Sequence, residues 1–279
     1  MSCSEYIKWL KSDRQLAAAL TFLCLYLYSL TPLKEAAQEI GEPVNIFEPF
    51  ITFCTNIFCM PLITVCFTAM MIDFPDISAN AAFVLIRAGR KRWYCAQIRF
   101  VILSAATFLA ALLIFSMVAI SSDAFLGNVW SNVAKIINGP NYFVFRGENP
   151  LSYPDLTAIT NFAPIEAVIL STILALLHLT LSAQLQMAFT LKFNKLVGTA
   201  VSIAVLGAGM ALQYADTPAK WLLPLAHSTV AGHYDSLFNE MYFPIWGSVL
   251  YLIVANIAMY FIGVRVIKRK NLSLMNKED

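Results

Sequence analysis

Six long apolar runs, at about 15–32, 47–72, 98–121, 161–190, 196–215 and 243–265, alternate with more polar connections of unequal length. Each is near the roughly 20 residues that a helix needs to cross a bilayer. The pattern predicts an all-α polytopic membrane protein with six transmembrane helices, residues 1–279 forming a single transmembrane domain. The fourth run is the longest and ends in polar residues, so a helical extension beyond the bilayer is expected there. Ahead of the first run, Tyr6, Ile7 and Leu10 fall at helical spacing, while Trp9, Lys8 and Lys11 suit headgroups. Residues 1–14 therefore read as an interfacial helix. The run that follows is too long for a secretory signal, and Ser29-Leu30-Thr31-Pro32 is a poor cleavage site, so the first span is expected to be retained.

An even number of spans puts both termini on one side. Of the 19 Lys and Arg residues, only Lys34, Lys135, Arg146 and Lys220 then fall on the other. The positive-inside rule makes the terminal side cytoplasmic, with residues 266–279 as a cytoplasmic tail. Composition agrees: 59% of residues are hydrophobic and 13% charged, against about a quarter charged in soluble chains. The six cysteines (Cys3, Cys24, Cys54, Cys59, Cys66 and Cys95) form no Cys-x-x-Cys pair and read as small hydrophobes.

Two outer connections stand out. Residues 122–160, rich in Asn, Gly, Pro and aromatics, are too long for a turn and predict a small folded cap. Residues 216–242 hold Trp221–Leu225, too short to span, which contains Pro224 and is flanked by Pro218 and Pro244. They predict re-entrant or interfacial extracellular helices before the last span.

No P-loop, Gly-x-Ser-x-Gly elbow or His-Glu-x-x-His motif is present. His227 and His233 are six apart and cannot share a helix face, which argues against a metal site. Within the spans, Glu48 and Glu166 lie near outer ends beside prolines and read as hydrated. Asn56, His178, Gln184, Gln186, Gln213 and Asn256 lie deeper or at the inner boundary. Interhelical hydrogen bonds, worth about 0.6–2 kcal/mol each, are favoured for them over substrate contact. Glu48, Asn56, Glu166, His178, Gln184 and Asn256 are the candidate pathway or interhelical polar residues. They are too few and unpatterned for an ion relay. Ala200, Ala204 and Ala208, with Gly207 and Ala211, make a small-residue packing face, either internal or between subunits.

Residues 73–97 carry the most charge between spans. Pro75 and Asp76 suit the first turn of a short helix, while Arg87, Arg90 and Lys91 are expected on one face near its end. Phe83 and Ile86 are left to pack on something. On charge alone the segment also reads as a loop that fixes topology.

The Tyr6–Leu10 stretch, the Asp73-Phe74-Pro75 and Ile86-Arg87-Ala88-Gly89-Arg90-Lys91-Arg92-Trp93 segment, six spans with inner termini and the Trp221–Leu225 region together resemble an ABC-2 type permease subunit, the membrane half of a type V ABC exporter. The 122–160 loop is longer than is usual there. The resemblance implies a bacterial plasma-membrane protein working with a separate ABC ATPase subunit, which would bind ATP and Mg. It implies a second permease subunit, of the same or a different chain, and neither a catalytic residue nor a cofactor on this chain. Phe83 and Ile86 would be apolar anchors for the ATPase, and Arg87, Arg90, Lys91 and Arg92 its charge partners. The Gln186–Lys195 turn would be a second contact. Cargo would be a peptide, antibiotic or lipophilic compound; membrane lipids, and no nucleic acid, complete the partners. Two other readings stand beside it: an ion-gradient-driven secondary transporter, and a membrane scaffold or sensor that recruits a cytoplasmic partner.

Overall fold

A computed structural model describes residues 3–13, 15–75, 85, 87–138, 153–235 and 239–270. The chain is mostly helical, and sheet is confined to one two-stranded pair among the described residues. A short helix, α1 (Cys3–Leu10), precedes the long α2 (Gln15–Ile40). Next come α3 (Glu48–Thr55) and α4 (Cys59–Met70), then α5 (Arg90–Ile120). Two short helices, α6 (Asn132–Ile137) and α7 (Leu156–Asn161), lead into α8 (Pro164–Lys192), α9 (Lys195–Tyr214) and α10 (Ile245–Arg269). Five helices are long and apolar enough to cross a membrane, or six if the bent α3–α4 pair is one span. This is the architecture of a multi-pass membrane protein.

Two spans depart from a straight rod, each for a local reason. Pro32 lacks the N–H that an α-helix needs, and α2 widens into a π turn at Tyr26–Leu30 just before it. The Thr31 hydroxyl donates to the Tyr26 carbonyl at 3.0 Å and helps satisfy the turn. The second expected span, 47–72, is broken, with α3 and α4 meeting at 81°. Asn56 adopts an extended backbone there, and its Oδ1 accepts from the N–H of Phe58 (2.8 Å) and Cys59 (3.3 Å). A side-chain cap thus replaces the helical bonds lost at the break.

At the centre, α8 packs against α10, α9, α5, α3 and α4. Phe22 of α2 stacks against Phe108 (5.9 Å) and Phe115 (5.0 Å) of α5 and joins the first span to the third. Large apolar side chains such as Leu20, Leu27, Val118, Leu250 and Phe261 face outward, where lipid tails would lie. The two ends of the bundle differ. The basic end holds α1, the start of α5, the turn between α8 and α9 and the end of α10. The opposite, distal end holds the remaining connections.

The described residues of 122–160 carry structure beyond a simple turn. Val44–Asn45 (β1) pairs in parallel with Ala124–Phe125 (β2), α6 packs beside β1, and the Asn138 amide after α6 donates to the Pro154 carbonyl ahead of α7 at 3.2 Å. The Asn45 amide donates to the carbonyls of Gly127 (2.7 Å) and Val129 (2.8 Å). Residues 216–242 differ from expectation: their described part forms 3₁₀ turns, Pro218–Leu222, Ala226–Ser228 and Ala231–His233, and no α-helix. Pro218 and Pro224, with the extended backbones of Leu223 and Thr229, interrupt it too often for longer helices.

Gly198 and Gly207 on α9 offer a matched test of this packing. A Cβ on Gly198 would sit 2.6 Å from the Gln186 carbonyl oxygen and 2.9 Å from the Thr190 nitrogen, both backbone atoms that cannot swing away. Gly198→Ala is expected to cost about 1–3 kcal/mol by forcing α8 and α9 apart. At Gly207 a Cβ meets nothing within 4 Å, so Gly207→Ala is expected to be neutral or to stabilise by up to about 1 kcal/mol. Thermal unfolding in detergent distinguishes the two; equal shifts would contradict the packing.

Candidate functional site

The basic end is the strongest candidate for a working surface. The chain reaches it through Leu85, which is buried with Trp93, Tyr94, Met187, Leu191, Val264 and Ile267. Gly89 then turns with φ +83°, a left-handed conformation that favours glycine, and α5 starts at Arg90. Trp93 and Tyr94 point inward, 4% and 0% exposed, and hold this first turn against α8 and α10.

Gly89 changes the expected layout of the cations. Arg87 precedes the break and Arg90 follows it, so Arg87, Arg90 and Lys91 do not share the face of one continuous helix. Arg90 turns inward instead. Its guanidinium donates to the Ile267 carbonyl at 3.3 Å and to that of Lys268, thereby capping the last turn of α10. Arg87, Lys91 and Arg92 are exposed. Phe83 and Ile86, the expected apolar anchors, lie outside the described residues.

The electrostatics of this corner are unusual. The start of α5 holds three successive cations and no acid in its first turn, although a helix N-terminus carries positive partial charge. Only Arg90 is relieved, by the carbonyls ending α10. Among the described residues Arg87, Lys91 and Arg92 enter no ion pair. Nearby, Lys195 at the start of α9 pairs with Asp73 at 3.1 Å and ties the end of α4 to the turn after α8. The helix α1 closes the same end. Trp9 was expected among headgroups, but it is 7% exposed, donates to the Met70 carbonyl at 3.3 Å and packs edge-on against Phe100. Its Nε1–H finds a protein partner, which outweighs an interfacial position.

The polar residues of the spans are held by the protein itself. Asn56 is the cap at the α3–α4 break. Glu48, expected to be hydrated, is 0% exposed, and its carboxylate accepts from the N–H (2.7 Å) and hydroxyl (2.8 Å) of Ser131. The cap over that end of α3 excludes water, and Ser131 supplies the donors instead. Glu166 accepts from the Ala163 N–H at 3.2 Å in an exposed cap of α8. His178 Nε2 meets the Thr64 hydroxyl of α4 at 3.2 Å. Gln184 donates to Asn256 at 2.8 Å, and Asn256 donates to the carbonyls of Leu177 and Leu252. Gln186 reaches the Thr68 carbonyl and the Thr199 hydroxyl. These contacts join helices rather than gather around one chamber. Among the described residues no group of three or more His, Cys, Asp or Glu side chains is placed to hold a metal.

Spacing along the chain gave no sign that His227 and His233 would converge. They meet through Ser248 of α10, and only the fold brings the three together. The chain matches no family model, and no curated protein or solved structure shows similarity to it.

Arg90 and its neighbours are expected to respond differently to truncation. Arg90→Ala leaves the carbonyls ending α10 without this donor and is expected to cost about 1–3 kcal/mol. Lys91→Ala and Arg92→Ala are expected to stay within about 0.5 kcal/mol of the parent. Denaturation of the detergent-solubilised chain measures this, and equal losses would contradict a structural role confined to Arg90.

Proposed function

We propose that this chain is the membrane-spanning permease subunit of an ATP-driven exporter of the ABC-2 type, gripped at its basic end by a separate ATPase chain. The observation that carries this reading is the exposed cation cluster at the start of α5. A folded chain that leaves Arg87, Lys91 and Arg92 at the positive end of a helix keeps an electrostatic cost, and an acidic partner surface would remove it. The cluster is mounted rigidly, since Trp93 and Tyr94 lock it to α8 and α10 and Arg90 ties it to the end of α10. A push on this corner therefore reaches two spans at once.

In this reading the basic end faces the cytoplasm of a bacterial cell and α1 lies along the inner interface. Residues 216–244 close the pathway outside, and a second permease subunit completes it. ATP and Mg bind the partner. Closure of the ATPases biases the bundle between two arrangements, and cargo that binds those arrangements differently is transported. Relay through buried acids is less favoured: the acids of the described spans, Glu35, Glu39, Glu48 and Glu166, all lie at distal helix ends.

The test leaves Arg90 in place. The triple variant Arg87→Glu, Lys91→Glu and Arg92→Glu is expected to insert and unfold like the parent while losing at least tenfold in affinity for the proposed ATPase partner. Pull-down and stimulated ATP hydrolysis are the readouts. Unchanged complex formation would remove the basic end from the coupling role, and transport that persists without an ATPase but collapses with the ion gradient would establish the secondary-transporter reading.

A further inference from the structure

At the distal end residues 218–235 fold onto the first turns of α10 around two buried histidines. His227 and His233 are 1% and 0% exposed, and Ser248 between them is 0% exposed. Trp221 lies over both rings, at 5.3 and 5.2 Å, and stacks on Phe243 at 4.6 Å. Tyr251 stacks on His227 at 4.0 Å.

The hydrogen bonds of this nest can be counted. His227 Nε2 is 2.8 Å from the Trp221 carbonyl, and His233 Nδ1 is 2.8 Å from the Thr229 carbonyl. A carbonyl only accepts, so both of those nitrogens carry hydrogen. The remaining nitrogens, His227 Nδ1 and His233 Nε2, both point at Ser248 Oγ, at 2.7 and 2.6 Å. Four contacts therefore need four hydrogens, and two neutral imidazoles plus one hydroxyl own three. In the neutral pair one of the two Ser248 contacts sets lone pair against lone pair. One added proton completes the chain, one ring donating to Oγ and Oγ donating to the other ring. A second added proton leaves the hydroxyl hydrogen with no acceptor in the bridge.

We propose that the His227–Ser248–His233 bridge is a binding site for one proton, which fastens the 218–235 turns to α10 and excludes a second. The aromatic faces of Trp221 and Tyr251 suit the cation so formed. The charged and titratable groups around the pair come from every neighbouring element: Lys220, which pairs with Asp216 at 2.5 Å, His178 on α8, Tyr251 on α10, and Tyr234, Asp235 and Tyr242 next to His233. Burial lowers the affinity of both imidazoles for protons. It brings His233 down to about 4, with His227 and Lys220 acting in the same direction. Burial thus opposes charge on either ring, and only the fourth hydrogen bond of the bridge favours the single added proton over none. The two rings titrate as a unit. Loss of the single proton restores the lone-pair conflict and loosens the turns from α10, so the distal closure responds to the pH on its side. None of this depends on an ATPase at the basic end.

The chain has three histidines, which makes nitrogen NMR of the histidine-labelled protein in nanodiscs direct, with His178→Gln assigning the third. Between pH 9 and 5 the pair is expected to hold or gain one proton, one ring carrying hydrogen on both nitrogens and the other on one. Amide exchange in 218–235 is expected to slow in the one-proton state. Ser248→Ala is expected to weaken proton binding at least tenfold. His233→Gln, whose amide can both donate and accept, is expected to keep the fold and abolish the uptake. Rings that titrate independently, or that both stay neutral down to pH 5, would overturn the proposal. So would a proton affinity unchanged in Ser248→Ala.

Discussion

Polar groups enclosed in an apolar bundle must find partners within it, and the arrangement of the spans follows from that constraint. The central helix α8 holds His178, Gln184 and Gln186 at 2%, 2% and 1% exposure. Each reaches a different neighbour: Thr64 of α4, Asn256 of α10, and Thr68 and Thr199 of α4 and α9. His178 Nδ1, Gln184 Oε1 and Gln186 Oε1 are without a hydrogen-bond partner among the described residues, so each residue is held through one side of its polar group, and sliding a helix would break the contact that is made. Apolar packing alone would tolerate several registers, because lipid tails are as apolar as leucine. The polar contacts select one.

Much of this was legible in the sequence, because long apolar runs separated by charge have few other solutions. The helical content of all six runs could be read from hydropathy. So could the extra structure of 122–160, whose length and aromatic content exceeded those of a turn. What could not be read depended on single residues acting over distance. Asn56 looked like a buried polar group and is a cap at an 81° bend. Glu48 looked hydrated because it stands at a span end, but Ser131, 83 residues later, covers it. Gly89 sits among cations that invited a helical reading, and its backbone conformation divides them. In the described part of 216–242, Pro218 and Pro224 keep the turns short, and the contacts around Trp221 and the histidines that gather those turns are absent from any local pattern.

The two ends of the bundle are built on different principles. At the distal end, carboxylates and amides are satisfied by loops: Asn45 by Gly127 and Val129, Glu48 by Ser131, and the Trp130 indole by the Phe162 carbonyl at 2.7 Å. At the basic end, one arginine serves the fold and its neighbours are left to solvent. That contrast underlies the proposed division of labour, in which the distal end closes and the basic end is driven. The rigid link between them is α8 with α10, which share the most extensive helix contact in the bundle.

A photo-crosslinking side chain placed at Arg92 in intact cells bears most directly on the proposed grip. An ATP-binding subunit trapped at that position, and lost when the side chain is moved to the lipid-facing Leu250, is the result expected. Adducts with lipid alone, or reactivity only toward reagents outside the cell, would mean that no motor holds this corner.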